Sequence, residues 1–187
     1  MQVLVLDPLP TLVVDVIAWL MLHLGIGSLC SKIPVERFDP DRRFYQSAPF
    51  EKEGRIYQEL FRVRSWKRFI PQGSKLYGDT FSLQQLSALD PAYLERWIRE
   101  SIRAEFCHWM MIFPSVFFFL WNSLAMAWAM VVYAVVNNFF PIVVQRFNRP
   151  RVRRLLALAT ADRLPPGLSA EPERTQANLT ESSVSRG

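Results

Sequence analysis

The sequence is poor in the residues that most enzymes use for metal binding and cross-linking, since it has two histidines and two cysteines among 187 residues. Cys30 and Cys107 supply neither a disulfide framework nor a metal-binding spacing. One Glu-x-x-His motif, Glu105 to His108, would provide only two metal ligands, and His23 has no partner at ligand spacing. The sequence therefore predicts no metal centre and no structural disulfide.

Basic residues are missing from the first part of the chain, where no Lys or Arg occurs before Lys32. A cleaved signal peptide needs a basic leading region and a small-residue cleavage site. The apolar stretch 11–30 follows a Pro-rich break and is interrupted only by Asp15 and His23. It is therefore expected to be a retained signal anchor that spans the membrane.

Charge is also missing from two later stretches, 106–121 and 124–144, which contain no Lys, Arg, Asp or Glu. As one helix the combined run would reach about 60 Å, roughly twice the thickness of a bilayer's hydrocarbon core. It must turn back, and Trp121-Asn122-Ser123 is the polar break at which it can do so. The sequence predicts an all-α integral membrane protein with about three transmembrane helices, 11–30, 106–121 and 124–144.

The distribution of basic residues predicts the orientation, because 31–105 holds 14 of them and 145–187 holds 8. Lys and Arg concentrate on the cytoplasmic side of membrane proteins. We expect a multi-pass protein of the cell (plasma) membrane with its N-terminus outside. The net charge of +5 does not indicate nucleic acid, because the arginines just past the last span face lipid headgroups.

The remaining regions are assigned by composition. Aromatic and basic residues alternate in 31–105, which is typical of a segment lying in the headgroup layer on the cytoplasmic side. Within it, Glu53 to Phe69 is a candidate amphipathic helix, and the composition leaves open whether 31–90 forms one interfacial helix or several short ones. Asp90 followed by Pro91 predicts the start of a long helix that enters the membrane after about Phe106. Residues 1–164 are expected to form one membrane-embedded domain, and 165–187 a disordered cytoplasmic tail.

The first candidate site is the pair Glu105 and His108, which share a helix face at i, i+3 spacing. A carboxylate that holds one imidazole nitrogen leaves the other free as a general base for activating a hydroxyl. The alternative is that Glu105 pairs with Arg99 or Arg103, and that His108 is simply an interfacial polar residue.

The second candidate site is a polar stripe at the end of the last span. It comprises Asn138, Pro141, Gln145 and then Asn148 or Arg149, at helical spacing. Amides inside a span must face protein or a cavity rather than lipid. Together with Arg146 the stripe is expected to bind a lipid headgroup or an acyl donor. The alternative is a plain cytoplasmic stop sequence. Both candidate sites lie at the inner ends of antiparallel helices, so we expect them to meet.

Several separated motifs occur in the order found in a known family. They are Ile33-Pro34, Phe50-Glu51-Lys52 with Gly54, Phe61 to Lys67, Arg103 to Trp109, and Gln145 to Arg151. Over about 25–156 the chain resembles the glycosyl-4,4'-diaponeurosporenoate acyltransferase family of staphyloxanthin-type carotenoid biosynthesis. The resemblance implies transfer of a fatty acyl group to the primary hydroxyl of a glucose that is attached to a C30 carotenoid acid, or to a related glycolipid.

On this hypothesis His108, oriented by Glu105, removes the hydroxyl proton. The residues expected to stabilise the oxyanion or bind substrate are Asn138, Gln145, Arg146, Asn148 and Arg149, with Arg64, Trp66 and Lys67 at the donor entrance. No cofactor is expected beyond acyl-CoA or an acyl-carrier thioester as co-substrate, and membrane lipids are the surrounding partners. The alternative function is a non-catalytic membrane scaffold that binds carotenoid or lipid for a partner enzyme.

Overall fold

A computed structural model describes residues 7–70 and 81–162, and all regular secondary structure in these ranges is helical. The α-helices are α1 (Pro8–Lys32), α2 (Arg55–Phe61), α3 (Val63–Trp66), α4 (Pro91–Ile112) and α5 (Leu124–Ala161). Short 3₁₀ helices cover Val35–Arg37, Arg43–Tyr45, Pro49–Gly54, Lys67–Phe69 and Phe113–Leu120. The predicted all-α class is confirmed. The predicted disordered tail, 165–187, lies outside the described residues.

Two helices, α1 and α5, are long and apolar enough to cross a membrane. Only 11% of the most apolar window of α1 is buried within the protein. Large apolar side chains such as Leu9, Val16 and Met21 are exposed on it. A core helix of a water-soluble protein would bury this surface, so the exposure indicates membrane association.

The stretch 106–121 is not one α-helix, because α4 ends at Ile112 and Phe113–Leu120 continue as a 3₁₀ helix. Pro114 accounts for the change, since its ring removes a backbone donor and clashes with the preceding turn of an α-helix. The start of α4 is as predicted: Pro91 occupies the first turn, and the Asp90 carboxylate accepts hydrogen bonds from the backbone N–H groups of Ala92 and Tyr93.

α4 and α5 pack against each other as an antiparallel hairpin, which forms the largest helix–helix contact of the described residues. At its turn, Trp121 Nε1 and Asn122 Nδ2 donate to Asp15 Oδ1 of α1 over 2.7 and 2.8 Å. A buried carboxylate needs such donors where water is excluded. Asp15 therefore attaches α1 to the tip of the hairpin.

Residues 33–70 contain several short helices, so the alternative of several short helices is the one found and Glu53 to Phe69 is not a single amphipathic helix. The chain adopts left-handed backbone at Gly54 (φ 82°) and again at Arg62 (φ 49°), where it breaks between α2 and α3. A Cβ on Gly54 would lie 3.1 Å from the carbonyl oxygens of Arg146 and Phe147. Close packing against α5 therefore requires glycine at position 54, where the left-handed turn begins α2.

Candidate active site

A buried carboxylate, Glu105, lies at the centre of the α4–α5 interface with no exposed surface. Arg146 Nε donates to its Oε1 over 2.8 Å, and Arg149 Nη2 donates to its Oε2 over 2.7 Å. Trp109 Nε1 lies 3.3 Å from Oε1 as a further donor. Charge-assisted bonds of this kind offset the cost of removing a carboxylate from water.

A second buried carboxylate, Glu51, joins the same arginine from the short 3₁₀ helix Pro49–Gly54. Arg146 Nη1 donates to Glu51 Oε1 over 2.7 Å, and Tyr57 Oη donates to the same oxygen over 2.9 Å. We call Glu51, Glu105, Arg146 and Arg149 the charged network. Its two carboxylates balance its two guanidinium groups, so the network carries no net charge.

The donors of Arg149 are nearly all used. Nε donates to Ser101 Oγ, Nη2 to the Ser101 carbonyl and Nη1 to the Tyr45 carbonyl, each over 3.1 Å, in addition to the bond with Glu105. Arg149 is 2% exposed. This arginine therefore ties α5 to α4 and to the preceding segment, and it has little capacity left for a substrate.

His108 forms its hydrogen bond with Asn138 of α5, where Nδ1 lies 2.8 Å from Asn138 Oδ1. The expectation that Glu105 orients His108 is therefore corrected, because the two arginines occupy the Glu105 carboxylate. The alternative partners of Glu105, Arg99 and Arg103, are also not the ones found. Arg99 donates to the Glu36 and Phe38 carbonyls, and Arg103 pairs with Glu100.

The hydrogen bonds of Asn138 assign the tautomer of His108. Asn138 Nδ2 donates to the Ala134 carbonyl over 2.8 Å, so its Oδ1 is the atom that faces the imidazole. Because Oδ1 can only accept, His108 Nδ1 must carry the proton, and Nε2 holds a free lone pair in the neutral ring. We call His108 and Asn138 the neutral pair. Its free Nε2 can act as a general base.

Gln145 lies on the same face of α5 as Asn138 and Arg149, at offsets of seven and four residues. Its Oε1 is buried and has no hydrogen-bond partner among residues 7–70 and 81–162. Leaving a buried amide oxygen without a donor costs about 1 to 3 kcal/mol. A hydroxyl supplied by a substrate would satisfy it.

The other predicted substrate-binding residues lie away from the face of α5 that carries Arg149, since Asn148 is turned about 100° from it. Asn148 Oδ1 accepts from Lys67 Nζ over 3.0 Å. Trp66 donates from Nε1 to the Phe61 carbonyl over 2.7 Å and packs edge-on against Phe140, which gives it a packing role. The Arg64 side chain is exposed. The structure thus brings the predicted residues together at one end of α5, but on two faces of that helix.

A shallow cleft opens beside the charged network. It is lined by Tyr45, Gln46, Ser47, Glu51, Arg146, Arg149 and Pro150. Burial, followed by the hydrogen bond to Glu51, raises the pKa of Tyr57 far above its ordinary value. Burial and the nearby charge of Glu105 also raise the pKa of Tyr45. Both phenols therefore remain protonated near neutral pH.

Sequence reasoning missed Glu51 and Tyr57 as members of the site. The available signal was that Glu51 belongs to one of the motifs of the family resemblance, Phe50-Glu51-Lys52 with Gly54. Nothing in the spacing of Glu51 indicated Arg146 as its partner, since 95 residues separate them.

These features define a membrane-associated, all-α protein with a buried polar site between two packed helices. Residues 41–158 match the family described as glycosyl-4,4'-diaponeurosporenoate acyltransferase. Proteins of that name from Staphylococcus aureus strains MRSA252 and N315 are each 34% identical to this chain over 140 residues, or 75% of this chain and 84% of theirs. No solved structure matches the chain. The chain belongs to this family and is an acyltransferase, as its motifs suggested.

Proposed function

We propose that the protein transfers a fatty acyl group from a thioester to the primary hydroxyl of the glucose on a glycosylated C30 carotenoid acid, or on a related glycolipid. The relatives' name identifies glycosyl-4,4'-diaponeurosporenoate as their acyl acceptor. An acceptor with a long apolar chain suits a protein whose spans expose apolar side chains. The observation that carries the proposal is the free Nε2 of His108, oriented by Asn138.

In the proposed reaction, His108 Nε2 takes the proton from the sugar hydroxyl as its oxygen attacks the thioester carbonyl. The new C–O bond forms a tetrahedral intermediate, the C–S bond breaks, and the leaving thiolate receives the proton from the imidazolium. No covalent enzyme intermediate is required. Proton transfer by a positioned histidine contributes about 10² to 10⁴ in rate.

Gln145 and Arg146 are proposed to contact the substrates. The unpartnered Oε1 of Gln145 would accept a hydrogen bond from a sugar hydroxyl. Arg146 lines the cleft with a side chain that is 15% exposed, and it is the more accessible arginine of the charged network. A guanidinium there can stabilise the developing oxyanion. Glu105 becomes a positioning residue that holds Arg146, rather than the partner of the base.

The proposed topology keeps three spans, with the second made of the end of α4 and the 3₁₀ helix Phe113–Leu120. A bilayer core takes about 20 helical residues, so α5, which is 38 residues long, would extend well beyond it. The part that emerges carries the arginines from Arg146 onward, which is why we propose that the site faces the cytoplasm and the N-terminus lies outside.

The test compares His108→Ala with wild type in membranes supplied with the glycosylated carotenoid acid and a labelled acyl thioester, with the ester detected by mass spectrometry. His108→Ala should lower ester formation by about 10² to 10⁴. His23→Gln, which removes the chain's other imidazole from α1, should stay within a few-fold of wild type. Undiminished ester formation by His108→Ala at equal protein levels would contradict the mechanism and favour a scaffold.

A further inference from the structure

Three cationic side chains gather on the side of α5 that faces away from α4. Lys67 Nζ lies 5.4 Å from the centroid of the Phe147 ring, and Arg151 Cζ lies 3.6 Å from the same centroid. Arg64 is close enough to repel both charges. Each helical residue turns by about 100°, which places Phe147 and Arg151 opposite Arg149. We call Arg64, Lys67 and Arg151 the cationic cluster.

No carboxylate of residues 7–70 and 81–162 forms an ion pair with the cationic cluster. The ion pairs of Glu51 and Glu105 lie within the charged network, and Glu53 pairs with Arg154. Burial lowers the pKa of Lys67, and the charges of Arg151 and Arg64 lower it further. Three like charges are therefore held together without an anion, an arrangement that a bound anion would stabilise.

Packing holds the cluster in place before any anion arrives. Val63, the first residue of α3, is fully buried against Val143 and Phe147 of α5. Gln58 Oε1 accepts from the backbone N–H of Arg64 over 3.1 Å, which orders the turn that carries Arg64. Asn148 uses one of the three N–H groups of Lys67. Two N–H groups of Lys67 and the exposed Arg64 guanidinium remain for a ligand.

We propose that Arg64, Lys67 and Arg151 bind the phosphate groups of the acyl donor, a thioester carried on a phosphopantetheine arm as in coenzyme A. The inference rests on the proposed function and extends it to the donor. Three positive charges suit a ligand with several phosphates better than the single phosphodiester of a membrane lipid. On this proposal the pantetheine arm carries the thioester from the cluster to the α4 side of α5.

The test measures binding of coenzyme A to the full chain in nanodiscs of zwitterionic phosphatidylcholine, with no acceptor present. Arg64→Gln and Lys67→Gln should each weaken binding by about tenfold, because each removes a charge-assisted contact. Binding by wild type should weaken as salt rises. Arg68→Gln is the matched control: Arg68 belongs to the same segment but lies over Phe69, and its loss should leave affinity unchanged.

Unchanged coenzyme A affinity in both Arg64→Gln and Lys67→Gln would overturn the proposal. A second arm replaces part of the lipid with phosphatidylglycerol and measures association with the anionic bilayer. If the variants lose that association but keep coenzyme A affinity, the cluster binds lipid headgroups and the donor assignment is wrong. The binding assay contains no acceptor and so does not depend on ester formation. If coenzyme A binding depends on the cluster but the separate assay detects no ester, only the proposed acceptor chemistry is contradicted.

Discussion

The α4–α5 interface contains two polar regions of opposite character. In the charged network, Glu105 is fully buried and both its oxygens are taken by arginine donors. In the neutral pair, one nitrogen of His108 is bonded to Asn138, and the other has no hydrogen-bond partner within residues 7–70 and 81–162. Groups that are fully hydrogen-bonded hold elements together, whereas groups with an unused atom can act on a substrate. The difference assigns a mainly structural role to the first region, where only Arg146 is proposed to contact a substrate, and proton transfer to the second.

The charged network also explains how the segment between α1 and α4 is held. Glu51 and the carbonyls of Phe44 and Tyr45 all belong to that segment, and all accept from the two arginines of α5. Buried ion pairs often contribute little net stability, but removing one partner leaves an uncompensated charge. The network is therefore expected to be sensitive to any single neutralisation.

The largest expected effect comes from Glu105→Gln, which leaves two guanidinium groups without their shared carboxylate. We expect a loss of about 3 to 5 kcal/mol in the free energy of unfolding, measured by denaturation in detergent micelles. Adding Arg149→Met should recover part of the loss, because it removes one of the stranded charges. If Glu105→Gln is as stable as wild type, the structural role of the network is wrong.

The next effect belongs to the neutral pair. Asn138→Ala removes the acceptor that keeps the proton on His108 Nδ1, so Nε2 is free in only a fraction of molecules. We expect ester formation to fall on the order of a hundredfold, at protein levels close to wild type. A stability loss as large as that of Glu105→Gln, with the rate per folded molecule unchanged, would reverse the assignment of the two regions.

A smaller effect is expected at Gln145, whose buried Oε1 has no partner. Gln145→Leu removes this atom without breaking a hydrogen bond to it, so the thermal midpoint should stay the same or rise. The KM for the glycosylated acceptor should rise by about five- to tenfold, because a sugar hydroxyl loses its acceptor. Steady-state kinetics with varied acceptor test this, and an unchanged KM would exclude Gln145 from the acceptor site.

The smallest effect is expected outside both regions, at the N-cap of α4. Asp90→Ala removes the acceptor for the Ala92 and Tyr93 N–H groups and should cost about 1 kcal/mol of stability. The specific activity of the folded protein should not change. A fall in activity per folded molecule would show that the site is coupled to the start of α4 and is not localised at the interface.

The features set by local sequence patterns were predictable from the sequence. Helical periodicity and the absence of charge located α1 and α5, the capping signal at Asp90 located the start of α4, and the stripe through Asn138 and Arg149 does face α4. Partner choice was not predictable. The i, i+3 spacing of Glu105 and His108 suggested a pair. The Glu105 carboxylate instead accepts from two arginines about 40 residues away in sequence.

The break at Arg62 was missed for a related reason. The residues from Glu53 to Phe69 have the composition of an amphipathic helix, yet packing of Val63 and Gly54 against α5 imposes left-handed turns that local preference disfavours. Tertiary contact overrides weak helical propensity in such short segments.

The most direct test of the account is the tautomer of His108, read from ¹⁵N chemical shifts of histidine-labelled protein in lipid bilayers. The variant His23→Gln leaves His108 as the single histidine, so its two ring nitrogens can be assigned. We expect a neutral ring protonated at Nδ1 and unprotonated at Nε2 at neutral pH. A proton on Nε2, with Nδ1 free, would contradict the proposed general base.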